Sequence, residues 1–462
     1  MLGPLKWQSS LIERYNQQGP RYTSYPTAVE FSESFEPDHY QQALTKLKQQ
    51  QTPLSLYVHI PFCASVCYYC GCNKIITKNR QKALPYLTVL EKEIQLVSQQ
   101  LDCKPVVEQL HWGGGTPTFL THEQTTQLFT LLEQHFQLVD DIDGDYSIEI
   151  DPREADWPTM GLLRSLGFNR ISLGIQDFNP VVQKAVNRVQ SEAETEAIFE
   201  AARALLFKSI NVDLIYGLPF QTTASFLETL DKVIALSPDR LSIFNYAHLP
   251  HRFKPQRRIK ASDLPSAPEK LSILQHSIDR LQAAGYHYIG MDHFALPDDK
   301  LATAQAKGEL HRNFQGYTTH GHCDLIGFGV SSISQINDIY CQNHTALDDY
   351  IQSIENNQLP IKRGIQLNQD DLLRRGIIQQ LICHFQVDLA KYCQPFGINW
   401  HVYFQKEIMQ LMPMVEDKLI TLTDSKLIIT NNGRLLARNI CMVFDRYLAS
   451  KQSSENLFSK VI

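Results

Sequence analysis

Leu54-Ser-Leu-Tyr57-Val-His-Ile60-Pro-Phe-Cys63-Ala-Ser-Val-Cys67-Tyr-Tyr-Cys70-Gly-Cys72 decides how this chain is read. Residues 54–60 form an apolar run of strand length, and Pro61 ends it. The loop beyond presents Cys63, Cys67 and Cys70 at a C-x3-C-x2-C spacing, with Cys72 close behind. Thiols this close together in a cell-interior enzyme point to a metal or cluster rather than to disulfides. A structural zinc site takes four ligands and usually draws them as two separated pairs; the chain has no second C-x2-C pair. Ferredoxin-type clusters use four thiolates at other spacings. Three thiolates on a four-iron cluster leave one iron open for a reactive ligand. The donor set therefore favours an open iron–sulfur site over zinc, for which Cys72 would be the candidate fourth ligand.

Outward from this loop the pattern alternates strands and helices. Strands are expected at 106–112, 146–150, 171–175, 210–215 and 241–246. Amphipathic helices are expected at 121–136, 155–166, 191–206 and 222–235, the first opened by a Thr121/Gln124 capping box. A helix at 267–284 leads to another strand at 286–291. Repeated βα units predict a parallel sheet with right-handed crossovers. Pattern alone leaves an open doubly wound sheet and a barrel both standing. In either, chemistry sits at the C-terminal ends of the strands. Tyr57, the cysteines, Gly113-Gly-Gly115-Thr116, Glu149, Gln176, Asp213 and Ala247 all fall at or near such ends.

The flanks differ from this middle. Residues 1–52 read as a polar, irregular N-terminal arm, 53–300 as the βα domain, and 301–364 as an extension that returns to the cavity. From 365 to 462 the pattern turns to helices at 369–386 and 399–412, a hairpin at 418–430 and a last helix at 433–449. Helices with a hairpin suggest a winged helix, but this region holds 11 Lys/Arg against 9 Asp/Glu, a net of +2, a poor footprint for DNA. A cap over the active site is the expectation. The whole chain carries a formal net charge of −6, which argues against a nucleic-acid partner. No stretch approaches the roughly 18 apolar residues of a membrane helix, and the N-terminus lacks a signal-peptide pattern. The remaining cysteines, Cys103, Cys323, Cys341, Cys383, Cys393 and Cys441, read as small buried hydrophobes. A reducing, cytoplasmic setting and a monomer are expected.

The words around the cysteines are more specific than their spacing. C-x3-C-x-aromatic-C, with Tyr69 before Cys70, resembles the signature of radical S-adenosylmethionine (SAM) enzymes. Tyr57-Val-His-Ile-Pro-Phe-Cys63, Cys70-Gly-Cys-Asn-Lys-Ile75, Leu110-His-Trp-Gly-Gly-Gly-Thr-Pro117, Ile150-Asp-Pro-Arg-Glu154, Asn211-Val-Asp-Leu-Ile-Tyr-Gly-Leu-Pro219 and His311-Arg-Asn-Phe-Gln-Gly-Tyr317 resemble the oxygen-independent coproporphyrinogen III oxidase family. The resemblance runs from Arg21-Tyr-Thr-Ser-Tyr-Pro-Thr27 almost to Ile462. It implies a partial (β/α)6 barrel with an N-terminal arm and a mostly helical C-terminal domain. It implies a 4Fe–4S cluster on Cys63, Cys67 and Cys70, with Cys72 not counted as a ligand, and two SAM molecules in one cavity. Tyr57, Gly114, Glu149 and Ile333 would line the first; Tyr69, Gly115, Thr116, Gln176, Arg188, Asp213 and Ala247 would line the second. The implied reaction converts the ring A and B propionates of coproporphyrinogen III to vinyl groups, with electrons from a donor such as a flavodoxin or ferredoxin.

The residue types suit these roles. Glycines at 113–115 let backbone approach a ligand. Carboxylates at 149 and 213 accept hydroxyl hydrogen bonds, Arg188 can pair with a carboxylate, and Tyr69 can stack on adenine. The basic run Arg252, Lys254, Arg257, Arg258, Lys260 reads as a solvated loop or as a dock for propionates. Phe314, Gln315 and Tyr317 read as a substrate wall or as core packing. The rival readings are a haem chaperone of the same superfamily and, from another class, a zinc-stabilised nucleic-acid-binding protein.

Overall fold

The apolar run before the cysteines is a strand, β1 (Leu54–Ile60), with six of its seven residues buried and Tyr57 half-buried. Residues 3–101 and 104–449 are described in this computed structural model; Cys103 lies outside them. After β1 come β2 (Val106–Gly114), β3 (Asp145–Ile150), β4 (Arg170–Gln176), β5 (Ser209–Tyr216) and β6 (Arg240–Asn245). Each is parallel to the one before it. Helices α1 (Ala83–Leu101), α2 (His122–His135), α3 (Trp157–Ser165), α4 (Glu192–Ala204) and α5 (Thr223–Ala235) make the crossovers. The Thr121/Gln124 capping box opens α2 as expected.

On the other side of β1 lies β7 (Asp324–Phe328), also parallel to it. The chain then runs antiparallel through β8 (Ile333–Ile336), β9 (Ile339–Asn343) and β10 (Ile361–Gln366). The order β6-β5-β4-β3-β2-β1-β7-β8-β9-β10 does not close on itself, so the fold is the partial (β/α)6 barrel. The chain divides into two compact units. One takes Phe31–Ile273 with His322–Gln366 and holds the whole barrel; segment Leu274–Gly321 and the residues from Leu367 belong to the other.

Several local expectations are corrected. The arm is not irregular throughout: helices span Ser9–Tyr15 and Pro37–Gln50. The second buries Tyr40, Ala43, Leu44 and Leu47, a stripe at helical spacing hidden among Gln and Lys. Within its own unit, the 21–27 stretch is tied down by hydrogen bonds. Tyr22 Oη donates to Asp445 at 3.0 Å, and the Arg446 N–H donates to Tyr25 Oη at 3.2 Å. The expected strand at 286–291 is His287–Gly290, which pairs antiparallel with His293–Ala295 instead of adding a parallel βα unit.

In the C-terminal region the 369–386 helix stops at His384. Phe385 turns left-handed with φ 58°, and Gln386–Asp388 joins the hairpin as a third strand. The 399–412 helix breaks at Phe404 into Trp400–Tyr403 and Gln405–Glu416. Phe404 is buried edge-on against Phe444 and under the Arg374 guanidinium, contacts no local pattern reveals. The 433–449 helix divides into Arg434–Leu436, Ala437–Val443 and Arg446–Ala449. Among the scattered cysteines, Cys341, Cys383, Cys393 and Cys441 are buried as expected, while Cys323 is only half-buried.

One buried polar network joins the barrel wall to the strand ends. Glu93 on α1 accepts from Tyr350 Oη and Asn343 Nδ2, both at 2.6 Å, and from the Gly329 N–H at 2.7 Å. Tyr86, on the same helix, donates to the His59 carbonyl at 2.7 Å and accepts from the Val330 N–H at 3.2 Å. These bonds hold the turn between β7 and β8 to the end of β1. Burial pushes the Glu93 carboxyl up to about 7. With the folded value above the ordinary one, its contribution is fullest at acid pH and is lost as pH rises toward neutrality. Glu93→Gln turns an amide N–H against at least one donor. It is expected to cost about 1–3 kcal/mol in urea unfolding; unchanged stability would show that the carboxylate is not the shared acceptor.

Candidate active site

The cysteine loop is seated on the end of β2. The Gly115 N–H donates to the Ile60 carbonyl and the Thr116 N–H to the Phe62 carbonyl, each at 2.8 Å. Thr116 Oγ1 donates to Cys63 Sγ at 3.6 Å. A Cβ on Gly115 would lie 2.7 Å from the Phe62 carbonyl oxygen and 3.0 Å from Cys63 Sγ, so only glycine fits. Gly114 has φ +120°, and a Cβ there would meet the His59 ring at 2.8 Å. Its N–H donates to Glu149 Oε2 at 3.2 Å. Glu149 Oε1 meets His111 Nε2 at 3.4 Å, and the Glu149 side chain is 44% exposed.

Tyr57 stacks on His111, with ring centroids 5.8 Å apart, and its hydroxyl meets His59 Nδ1 at 3.0 Å. His59 Nε2 in turn meets the Asn73 carbonyl at 3.1 Å. Burial lowers the His59 pKa, so the ring is neutral and links strand and loop as a hydrogen-bonding hinge. Ile333 opens β8, and glycine at 327, beside Tyr57 in the sheet, lets its backbone approach. A Cβ at 327 would lie 2.6 Å from the Ile333 carbonyl oxygen.

Across the loop, two guanidiniums converge on one sulfur. Arg188 Nη1 lies 3.5 Å from Cys67 Sγ, and Arg153 Nη2 lies 3.8 Å from it. Asp151 accepts from both arginines, at 2.9 Å from Arg188 and 2.6 Å from Arg153. Despite burial, the two positive charges hold the Asp151 carboxyl below its ordinary range. The Cys72 thiol hydrogen-bonds Cys70 and, with Lys74, favours the Cys70 thiolate over the thiol; Cys72 itself is raised. Burial pushes Cys63 up to about 11.

The remaining rim residues come from β4 to β6. Gln176 sits at φ +67°. Asp213 accepts from Ser172 Oγ at 3.0 Å and Asn211 Nδ2 at 2.9 Å, and burial, then the Glu149 charge, push it up to about 6. Ala247 and Tyr69 are tied together by Gln256, whose Nε2 donates to both carbonyls, at 3.2 and 2.9 Å. Sequence reasoning missed Gln256, His59 and the Asp151–Arg153 pair as site residues. The only signal was the Asp-Pro-Arg word at a strand end. The basic run is exposed at each of its five charges, and Arg258 donates to Tyr68 Oη at 3.1 Å. Tyr317 is a core residue of its own unit, donating to the Ile382 carbonyl at 3.2 Å.

The donor set fits a cluster with a polar ligand beside it. Among the described residues, Cys63, Cys67 and Cys70 do not form a set of ligand atoms within 4.8 Å of one another. A single zinc needs its sulfurs about 3.8 Å apart, whereas a cluster spans a wider triangle. Arg188 Nε and Gln176 Oε1 are buried and meet no partner among the described residues, as expected of groups that face a ligand.

The radical SAM superfamily model matches residues 57–233, and the HemN C-terminal domain model matches 367–436. The chain is 59% identical to an oxygen-independent coproporphyrinogen III oxidase of Pseudomonas aeruginosa, over the full length of both. This chain belongs to the oxygen-independent coproporphyrinogen III oxidase family. A coproporphyrinogen III oxidase of the same type from Escherichia coli is 50% identical over 99% of each chain. The solved structure of the Escherichia coli coproporphyrinogen III oxidase, described as a radical SAM enzyme, superposes with a TM-score of 0.92. It shares 49% identity and covers 96% of this chain and 100% of its own. Membership in this oxidase family implies a 4Fe–4S cluster and SAM.

With Cys67 holding an iron, positive charge beside its sulfur would favour the reduced cluster. Arg153→Gln is expected to leave iron and sulfide content unchanged and to move the cluster midpoint potential to more negative values, with Arg153→Lys intermediate. Spectroelectrochemical titration reads the shift; an unmoved potential would show that Arg153 only braces Asp151.

Proposed function

We infer that this chain removes carbon dioxide from two propionates of coproporphyrinogen III, those of rings A and B, and leaves vinyl groups, giving protoporphyrinogen IX. Identity of 59% over the full length of both chains carries this reading. Each propionate loses a hydrogen atom from its β-carbon, one electron and carbon dioxide. When bound, the cluster and SAM supply the one-electron chemistry that takes the hydrogen atom.

The chain's own residues hold, orient and shield. Cys63, Cys67 and Cys70 would bind three irons and leave the fourth to SAM. Cys72 is assigned the part of hydrogen-bond donor to Cys70, in keeping with the direction of both thiol pKa values. Tyr57, Gly114, Glu149 and Ile333 would line one SAM. Tyr69, Gly115, Thr116, Gln176, Arg188, Asp213 and Ala247 would line a second, and the unpartnered Arg188 and Gln176 atoms support a polar ligand there. Arg252, Lys254, Arg257, Arg258 and Lys260 are assigned to the substrate carboxylates. We take the chain to act as a cytoplasmic monomer fed by a flavodoxin- or ferredoxin-like donor; among the described residues no helix is long and apolar enough to cross a membrane.

The decisive assay is anaerobic. Protein reconstituted with iron and sulfide is reduced and given SAM and coproporphyrinogen III, beside a Cys67→Ser control. Loss of two carbon dioxide units with 5′-deoxyadenosine formed, both absent from the control, is expected by mass spectrometry. Deoxyadenosine without porphyrinogen turnover would overturn the substrate. Haem binding without either product, from protein with an intact cluster, would favour the chaperone.

A further inference from the structure

At the opposite end of β1 from the cysteine loop, three side chains of metal-ligand type meet. Glu108 is the third residue of β2, and His322-Cys323 immediately precede β7. β2 and β7 flank β1, and Leu54, where β1 begins, pairs with Val107 on one side and Asp324 on the other. His322 Nε2 lies 2.7 Å from Glu108 Oε2, and Cys323 Sγ lies 3.8 Å from the same oxygen. All three donor atoms fall within 4.8 Å of one another. With Zn–S near about 2.3 Å and Zn–N or Zn–O near about 2.0 Å, a tetrahedral zinc spaces one sulfur, one nitrogen and one oxygen about 3.3–3.5 Å apart. The side chains therefore need to shift by no more than about 1 Å to close on one ion. His322 is 58% exposed and Glu108 30%, which leaves room for that adjustment, for the ion to enter and for a water as fourth ligand.

We propose that Glu108, His322 and Cys323 form a mononuclear zinc site that staples β2 to the start of β7. Thiolate, imidazole and carboxylate together select zinc or a similar borderline cation over magnesium or calcium. Seven residues of β1, at about 3.3 Å each, put about 20 Å between this site and the cysteine loop, so the ion takes no part in the radical chemistry. His322 is also the first residue of the barrel unit after segment Leu274–Gly321. An ion there fixes the point at which the chain re-enters the barrel. Without zinc, the same side chains form an exposed His–Glu hydrogen bond beside a thiol.

The test uses protein with a filled cluster, kept anaerobic, and zinc added in competition with a chromophoric chelator. The native chain is expected to take up one zinc with its iron and sulfide unchanged. His322→Ala and Cys323→Ser are expected to bind it at least about tenfold more weakly. Zinc is expected to raise the thermal midpoint of the native chain and not that of either variant. Without added zinc, decarboxylation by the variants matches the native rate. No zinc uptake, equal uptake by native chain and variants, or iron released in step with zinc bound would each overturn the site.

Discussion

The close approach of β2 to the cysteine loop is the constraint on which the barrel's head depends. Gly115 and Thr116 donate backbone N–H groups to Ile60 and Phe62, and the space this needs would be filled by any Cβ at 115. The contact fixes where Cys63 stands relative to Gly114 and Glu149. It also explains the glycine run physically: Gly114 takes a backbone angle that side-chain-bearing residues rarely adopt, and Gly113 and Gly114 lie against Glu149 and His59.

Around this contact the charges are arranged by burial and pairing. Asp151 holds Arg153 and Arg188, and both present N–H groups to Cys67 Sγ. Cys63, by contrast, meets a single threonine hydroxyl, and burial pushes its thiol pKa up. The three loop sulfurs are therefore inequivalent before any iron arrives. On the other flank, Glu93 and Tyr86 anchor the turn after β7, and with it Ile333, to the carbonyl of His59. The head of the barrel is braced from both sides, while Glu149 stays partly exposed and the basic loop open.

Much of this was legible in the residues. The βα alternation, the capping box at Thr121 and the place of each rim residue at a strand end follow from local periodicity and spacing. The helix Pro37–Gln50 was equally legible by period, but its polar composition masked the stripe of Tyr40, Ala43, Leu44 and Leu47. The break at Phe404 was not legible, because Phe444 and Arg374 make it from far along the chain. For Tyr317 the motif left a substrate wall and core packing both standing, and the bond to the Ile382 carbonyl sets it in the core of its unit.

By itself the sequence determined the cysteine spacing, the glycine run, the order of strands and helices and, through its long motifs, the family. These are properties of neighbours along the chain. The tertiary structure alone decided which distant groups meet: Arg153 and Arg188 on one sulfur, Gln256 between Tyr69 and Ala247, and Glu108 beside His322 and Cys323. Such meetings depend on which strands lie side by side and in what register. Pairing of that kind links residues more than two hundred positions apart, where local periodicity carries no information.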